Sequence, residues 1–518
     1  MAYYYNSKNI SEEYLCDESR FKGFASGLVI LENTEELLPV LNQATDEGHS
    51  VTVQGARTGL TGGCVPLGGL VVSFTACKRI LSMGYEAKTS VFTVEVEPGL
   101  SLYEFQEALT CKNFAMEGWS QEAKDVYKEF KQSGPYFFAP DPTENSASLG
   151  GMAACNASGA RSFYYGPMRK HVLGLGLTLI DGRTVKLRRA NIFSQGRAFR
   201  LPLDDGSILE GLLPSYEWRD LKNASGYYTK DNLDLLDLFL GQEGTLAIIT
   251  SLTLALLPLD GVEMAACFFF QDEASALSFV EEIRSARLKP DSKLLALEYF
   301  DRQALAIAKN LAGGIHGYNF PHQGYVIYLE LSGPSEEELL SQIEDWANAW
   351  EHRLAFSDAV WLATSSKEFN RLRSLRHAIP EAINRLVAER IRSEPGVTKL
   401  ATDFAVPNEH LKSLVSLYRK TLDATDINYV LFGHIGNNHL HANLIPKDIQ
   451  QYRRGKEYLQ QIAQEVIALG GSVSAEHGIG KLKKDLLRFM YGEEGLVQMK
   501  RLKSIFDPGF RLNQGNLF

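Results

Sequence analysis

Paired cysteines are missing from this sequence. Cys16, Cys64, Cys77, Cys111, Cys155 and Cys267 are scattered, no two form a C-x-x-C pair, and the chain beyond Cys267 has none. That excludes an iron–sulfur signature and a disulfide framework, and isolated thiols fit a reducing compartment. A basic excess is missing too. With 53 Lys and Arg against 63 Asp and Glu, the formal net charge is −10. A general nucleic-acid binder needs a basic face to neutralise phosphates, so that class is disfavoured, while a local basic pocket for a small anion is still permitted. Long apolar runs are absent. The stretch Leu246 to Leu257 is too short to span a bilayer and is broken by Thr250, Ser251 and Thr253. The opening residues MAYYYNSKNISEEYL carry neither the basic nor the apolar region of a secretory leader. The expected location is cytoplasmic, with peripheral membrane contact allowed.

What is present is ordinary globular material. A chain of 518 residues with 45% apolar and 22% charged residues has enough apolar surface for two or three cored domains. Residues 27–32 predict a short strand, and residues 33–43 a helix with Leu37, Leu38 and Leu41 at helical spacing and Asn33 or Thr34 as N-cap. Another strand follows at 51–53. Phe92, Val94 and Val96 alternate with Thr93, Glu95 and Glu97, as in a half-buried strand, and Ser101 with Glu104 makes a capping box. Residues 258–261 mark a boundary. Beyond it, strands at 265–270, 294–299 and 325–332 alternate with helices at 273–286 and 335–350, which predicts an antiparallel sheet covered by helices on one side. Residues 117–134, rich in charge, and 190–220, without periodicity, are expected to be solvated loops.

Three glycine and small-residue stretches stand out. Gln54 to Pro66 reads QGARTGLTGGCVP directly after a predicted strand. Glycine admits positive φ and lets backbone N–H groups approach an anion without a Cβ in the way, so this stretch suits a pyrophosphate. Pro140 to Gly166 combines a PDP turn, a Gly150-Gly151 pair and small residues through Gly159, and Gly241 to Thr250 reads GQEGTLAIIT. Each alone is as well explained by tight packing. Together they favour a large extended cofactor, and none is the G-x-G-x-x-G of a nicotinamide βαβ unit.

A hairpin-like segment follows late in the chain. FGHI and HLHANLI read as two short strands joined by Gly436-Asn437-Asn438. His439 and His441 share one strand face, with His434 across the hairpin. Such a set suits a nitrogen–oxygen metal site completed by a carboxylate, or equally a hydrogen-bonded polar cleft.

Taken in order with VLGLGLTLIDG (172–182), KNASGY (222–227), FGHIGNNHLHANLIP (432–446), SAEHGIG (474–480) and DPGFRLNQGN (507–516), these stretches resemble the vanillyl-alcohol-oxidase-type flavoproteins. More closely, the chain is similar to the FAD-linked D-lactate, glycolate and D-2-hydroxyglutarate dehydrogenases of that group. The resemblance implies an α+β fold: a two-subdomain, PCMH-type FAD-binding domain over residues 1–260, a cap domain with a helix-covered antiparallel sheet over 261–475, and a C-terminal segment, 476–518, returning to the FAD domain. It implies that Gln54, Gly55, Ala56, Arg57, Thr58, Gly62 and Gly63 hold the pyrophosphate. Pro140, Asp141, Ser148, Gly151, Asn156, Ser158 and Gly159 would line the flavin and phosphates. Glu243, Gly244, Ile248 and Ile249 would approach the adenine end, and Asn513 would also bind FAD. Arg57 stands where glycine is common, Cys155 where threonine is usual, and Gln514 replaces a proline. Some relatives tether FAD through a histidine near Thr58. No histidine occurs in Gln54 to Pro66, so non-covalent FAD is expected.

The resemblance also implies a divalent metal, zinc or manganese, on His434, His441 and Glu476, with His477 as general base and Asn443 contacting substrate. Asn437 replaces the usual aspartate and His439 the usual asparagine, so His439 is either an extra ligand or an outer hydrogen-bond donor. Among Arg371, Arg373 and Arg376 on a predicted helix, Arg376 matches the carboxylate-binding arginine, and Lys399 could assist it. The implied reaction oxidises a small D-2-hydroxy acid to the 2-oxo acid, with metal assistance and hydride passed to flavin N5. Reduced flavin would then serve a quinone, a cytochrome or an electron-transfer flavoprotein, and the chain could pair as a homodimer. The rivals are a non-catalytic flavin subunit of a larger complex and an enzyme similar to alkylglycerone-phosphate synthase.

Overall fold

The computed structural model describes residues 3–518 except 88, 310–323, 358, 364 and 395, and the side chains of 308, 309, 366, 375–377 and 391 also lie outside the described residues. Three sheets organise the fold. The first has strand order Tyr3–Asn6, Gly27–Ile30, Leu70–Ser73, Val51–Gln54. Its last three strands run parallel, and Tyr3–Asn6 pairs antiparallel at the edge. The second is antiparallel and holds Ile80–Glu86, Val91–Val96, Ile248–Ala255, Val172–Thr178 and Thr184–Arg188 in that spatial order. The third and largest places Val360–Ala363, Val262–Phe270, Tyr325–Gly333, Lys293–Phe300, Asn428–Gly433 and His439–Ile445 side by side, with the short strands Leu400–Ala401 and Phe404–Ala405 on the last. The apolar stretch at 246–257 is thus mostly the central strand of the second sheet, with Leu252 and Leu254 fully buried.

Local signals set several elements as expected. The Ser101/Glu104 capping box is present at the start of Leu102–Cys111, satisfying two N–H donors that the helix leaves open. Asn33 caps a short 3₁₀ turn, Thr34–Glu36, that leads into the helix Leu37–Asp46. Helices Glu273–Ser285 and Glu336–Trp350 pack on the strands Val262–Phe270 and Tyr325–Gly333.

Two expectations fail. Residues 117–134 are no solvated loop: Gln121–Gln132 is a helix capped by Ser120, and it buries Ala123, Tyr127 and Phe130. These lie four and three residues apart, one apolar stripe on an otherwise charged helix. Residues 190–220 contain the hairpin Ala198–Pro202/Ile208–Leu212, whose Phe199 and Leu201 are buried.

Contacts distant in sequence join the first half to the rest. Arg161, buried, donates from Nη1 and Nη2 to Glu263 at 2.9 and 2.7 Å and from Nε to Glu330 at 2.5 Å. Both carboxylates belong to the largest sheet. The C-terminus folds back: Asn513 donates from its N–H to Val51 O at 2.9 Å, and Leu517 donates to Gly480 O at 3.0 Å.

Candidate active site

One cavity has a volume of about 280 Å³. It is lined by Gln54, Gly55, Ala56, Arg57, Thr58 and Gly63, by Ser148, Gly151 and Ser158, and by Glu243, Gly244, Ile248, Ile249 and Asn513. Three stretches far apart in sequence therefore share one hollow. A side chain could not replace glycine in parts of this wall: a Cβ at Gly55 would sit 2.0 Å from Ser148 Oγ. Arg57 takes up the left-handed backbone itself, with φ 62°. Its side chain is held by Glu13 at 3.0 Å and lies over the Tyr14 ring, 4.3 Å from its centroid. The N-terminal segment thus steadies an arginine where glycine would turn without help.

Other residues assigned by resemblance shape the loops without lining the cavity. Asp141 accepts the Arg161 N–H at 3.1 Å, and a Cβ at Gly159 would collide with Asp141 O. Asn156, also left-handed, accepts the Arg169 N–H at 2.9 Å. Gly62 O accepts from Lys481 Nζ at 3.2 Å. Pro140 is absent from the lining as well. Glu243 lines the cavity, but its carboxylate accepts the N–H groups of Ile479 and Gly480 at 2.7 and 2.6 Å, so it holds the loop after His477. Asn513 bridges Val53 N and Glu243 O at 2.8 and 3.1 Å.

The same cavity is also lined by Glu476 and His477. The histidine hairpin meets Glu476. The strands Asn428–Gly433 and His439–Ile445 pair antiparallel, with Phe432 opposite His441. A 3₁₀ turn, Ile435–Asn437, joins them, and Asn438 takes the left-handed conformation. One ring nitrogen or carboxylate oxygen from each of His434, His439, His441 and Glu476 lies within 4.8 Å of the others. His434 Nδ1 meets Glu298 at 2.6 Å, and its Nε2 faces Glu476 Oε1 at 3.2 Å. His441 Nδ1 donates to Thr402 O at 2.9 Å. Lys222 also pairs with Glu476 Oε1, and Ser158 donates to that oxygen at 3.1 Å.

Electrostatics separates these groups. Burial disfavours charge on His434, yet Glu298 and Glu476 outweigh it and push the imidazole up to about 9. Burial dominates at His439, which falls to about 4. His441 is also held well below the usual range, by burial and then by the neighbouring His439 and His477. Burial would raise the Glu476 carboxyl, but Lys222 and His434 hold it well below the carboxylate range. A metal ion on His434 would displace the proton that Glu298 and Glu476 favour there, because ligating imidazoles bind in the neutral form.

His477 is partly exposed, and its Nδ1 faces Asp403 Oδ2 at 3.3 Å, which leaves Nε2 as the nitrogen that can serve the cavity. Asn443, fully buried, lies on the strand face of His439 and His441, and its Oδ1 has no hydrogen-bond partner. Lys399 Nζ reaches Asn384 Oδ1 at 3.1 Å, and burial followed by the charge of Arg20 pushes the ammonium down to about 8. Arg376 falls in the helix Ser366–Ser393, as expected, but its side chain lies outside the described residues. Arg373 approaches Asp141 Oδ2 at 3.8 Å.

Sequence reasoning missed Asp403 and Glu298. Asp403, buried, accepts from Ser474 Oγ and Lys483 Nζ at 2.7 Å each and from the N–H groups of Glu476 and His477 at 3.3 and 3.0 Å. The charges of His477 and Lys483 overcome burial and keep it ionised well below its usual range. A lone acidic residue inside an apolar stretch, as in ATDFAVP or LLALEYF, was the available signal, because a buried carboxylate needs a partner.

Residues 25–119 and 123–188 match a FAD binding domain, and residues 260–517 match FAD linked oxidases, C-terminal domain. The chain is 27% identical to a D-lactate dehydrogenase of Anaerostipes hadrus, across 98% of this chain and 93% of that protein. It is 25% identical to glycolate oxidase subunit GlcD of Bacillus subtilis, across 96% and 90%. A solved alkyldihydroxyacetonephosphate synthase superposes with TM-score 0.58 over 95% of this chain and 76% of that one, at 14% identity, a likeness of fold alone.

Proposed function

The chain belongs to the FAD-linked oxidases, with an FAD-binding domain followed by a cap domain, and from that premise we propose that it oxidises a small D-2-hydroxy acid to the corresponding 2-oxo acid. The observation that carries the proposal is that His477 and Glu476 line the same cavity as the three glycine stretches. The residues that would face a redox cofactor thus share one hollow with the proposed base and one proposed metal ligand. The names of the relatives point to the same substrate class.

In this reading residues 1–260 hold FAD without a covalent bond, 261–475 cover it, and 476–518 return to it. FAD, when bound, supplies the two-electron acceptor for the substrate's C2–H bond. A divalent ion on His434, His441 and Glu476 would supply Lewis acidity toward the 2-hydroxyl. The chain does the rest. Arg376 fixes the substrate carboxylate through its planar fork, with the Lys399 ammonium as a second charge. The unpartnered Asn443 Oδ1 is free to accept a hydrogen bond. His477 accepts the hydroxyl proton, and Asp403 on its Nδ1 favours the imidazolium that results. The electron acceptor that regenerates the enzyme is a separate partner, a quinone, a cytochrome or an electron-transfer flavoprotein.

Anaerobic titration of the purified flavoprotein with paired D- and L-2-hydroxy acids tests the proposal. The D-acids should bleach the flavin and yield one 2-oxo acid per flavin. A flavin that no hydroxy acid reduces would overturn it.

A further inference from the structure

The resemblance assigns two histidines and one glutamate to the metal and leaves His439 as either an extra ligand or an outer hydrogen-bond donor. His439 is fully buried, and its ring centroid lies 4.3 Å from that of His441 and 5.5 Å from that of His434. Its Nε2 is 3.0 Å from Asp403 Oδ1. Neither ring nitrogen has an aligned hydrogen-bond partner, and Nδ1 faces Glu476 Oε2 at 4.0 Å. The opposite oxygen, Oε1, is occupied by Lys222, Ser158 and His434, so Oε2 is the one turned toward His439.

All three imidazoles share one pattern. Each has one ring nitrogen against a fixed oxygen: Glu298 for His434, Asp403 for His439, Thr402 O for His441. Each also offers one ring nitrogen to the group within 4.8 Å that includes Glu476. A ligating histidine typically gives its second N–H to a carboxylate or carbonyl, which fixes the tautomer and makes the free nitrogen a better donor. Donor atoms about 2.0–2.2 Å from a shared ion lie within roughly 4.4 Å of one another, so small inward movements would close the set. A hydrogen-bonding role alone would leave a buried Nδ1 unmatched beside two imidazoles and a carboxylate.

We infer that His439 is a fourth protein ligand, through Nδ1, so that this chain binds a divalent first-row transition ion with three imidazoles and one carboxylate. The donor set suits such ions, for which imidazole is a favoured ligand. The inference rests on the metal-assisted reading above but goes beyond it in naming this ligand. Asparagine, usual at this position among the similar enzymes, has no ring nitrogen to offer.

The test loads the metal-free holoflavoprotein with Co²⁺ and counts the hyperfine-shifted, exchangeable imidazole N–H resonances by proton NMR. Wild type should show three and His439→Asn two, and a chelator-competition titration should find Co²⁺ held at least roughly ten-fold more weakly in the variant. Two such resonances in Co²⁺-loaded wild type would overturn the fourth ligand while leaving the metal-assisted reading intact. Wild type that binds no Co²⁺ would overturn both. The wild-type count decides the matter even if the variant fails to fold.

Discussion

At the scale of single residues, the site depends on how each titratable group is partnered. His477→Asn keeps polarity and approximate size but cannot take a proton at neutral pH. It should slow flavin reduction by roughly 10²–10⁴-fold, the usual loss for a positioned base, with flavin content unchanged, as rapid-mixing absorbance would report. A rate near wild type would mean that another group takes the proton. Lys399 predicts a pH dependence. Its ammonium is pushed down to about 8, so it is charged below that pH and neutral above it, while the substrate carboxylate is an anion throughout. Apparent hydroxy-acid affinity should therefore fall as pH rises through 8, and Lys399→Met should flatten that fall. A wild-type affinity that is level across pH 7–9 would leave the carboxylate to Arg376 alone. Legibility at this scale was uneven. The histidines are rare and closely spaced, so they could be read. Asp403 and Glu298 are single carboxylates in apolar strands and loops, and their role depends on which side chains fold against them.

At the scale of elements, local chemistry was readable where it closes on itself. The Ser101/Glu104 box is four residues of sequence that satisfy their own backbone, and Ser101→Ala should cost about 1 kcal/mol of stability in denaturant unfolding. The helix Gln121–Gln132 was missed because its charge density masked Ala123, Tyr127 and Phe130, which lie at helical spacing. Phe130 is fully buried and packs with Phe92 and Tyr136, ring centroids 5.4 and 5.7 Å away. Phe130→Ala should therefore destabilise the protein by about 3–5 kcal/mol. A solvated loop would lose a few tenths, and equilibrium unfolding separates the two. The hairpin Ala198–Pro202/Ile208–Leu212 was missed too, although Phe199 and Leu201 alternate with polar residues and Asp205-Gly206 suits a turn.

At the scale of the whole molecule, the two halves are joined by charge as well as by apolar packing. Arg161 carries two buried or half-buried carboxylates from the largest sheet, and its backbone N–H holds Asp141 beside the cavity. Removing the cation takes the opposing charge from Glu263 and the buried Glu330, so Arg161→Met should lower stability by about 3–5 kcal/mol. FAD should also be held less tightly, because the loop that carries Arg161 beside the cavity loses its side-chain anchor to the cap. Fluorescence of released flavin during thermal unfolding reads both effects. Retention of the wild-type midpoint would show that apolar contacts alone hold the halves together.

The sequence by itself determined the family, the α+β alternation, the three glycine stretches and the histidine hairpin. Each of these is written in short runs whose spacing follows the period of a helix, a strand or a turn. The tertiary structure alone decided which residues meet. It brought Glu243 to the loop after His477, Asp403 to His477 and His439, Lys222 to Glu476 and Arg161 to the cap sheet, pairs separated by 36 to 254 residues. No local period encodes such encounters. They follow from the need of every buried charge for a partner, and the partner is chosen by how the sheets pack.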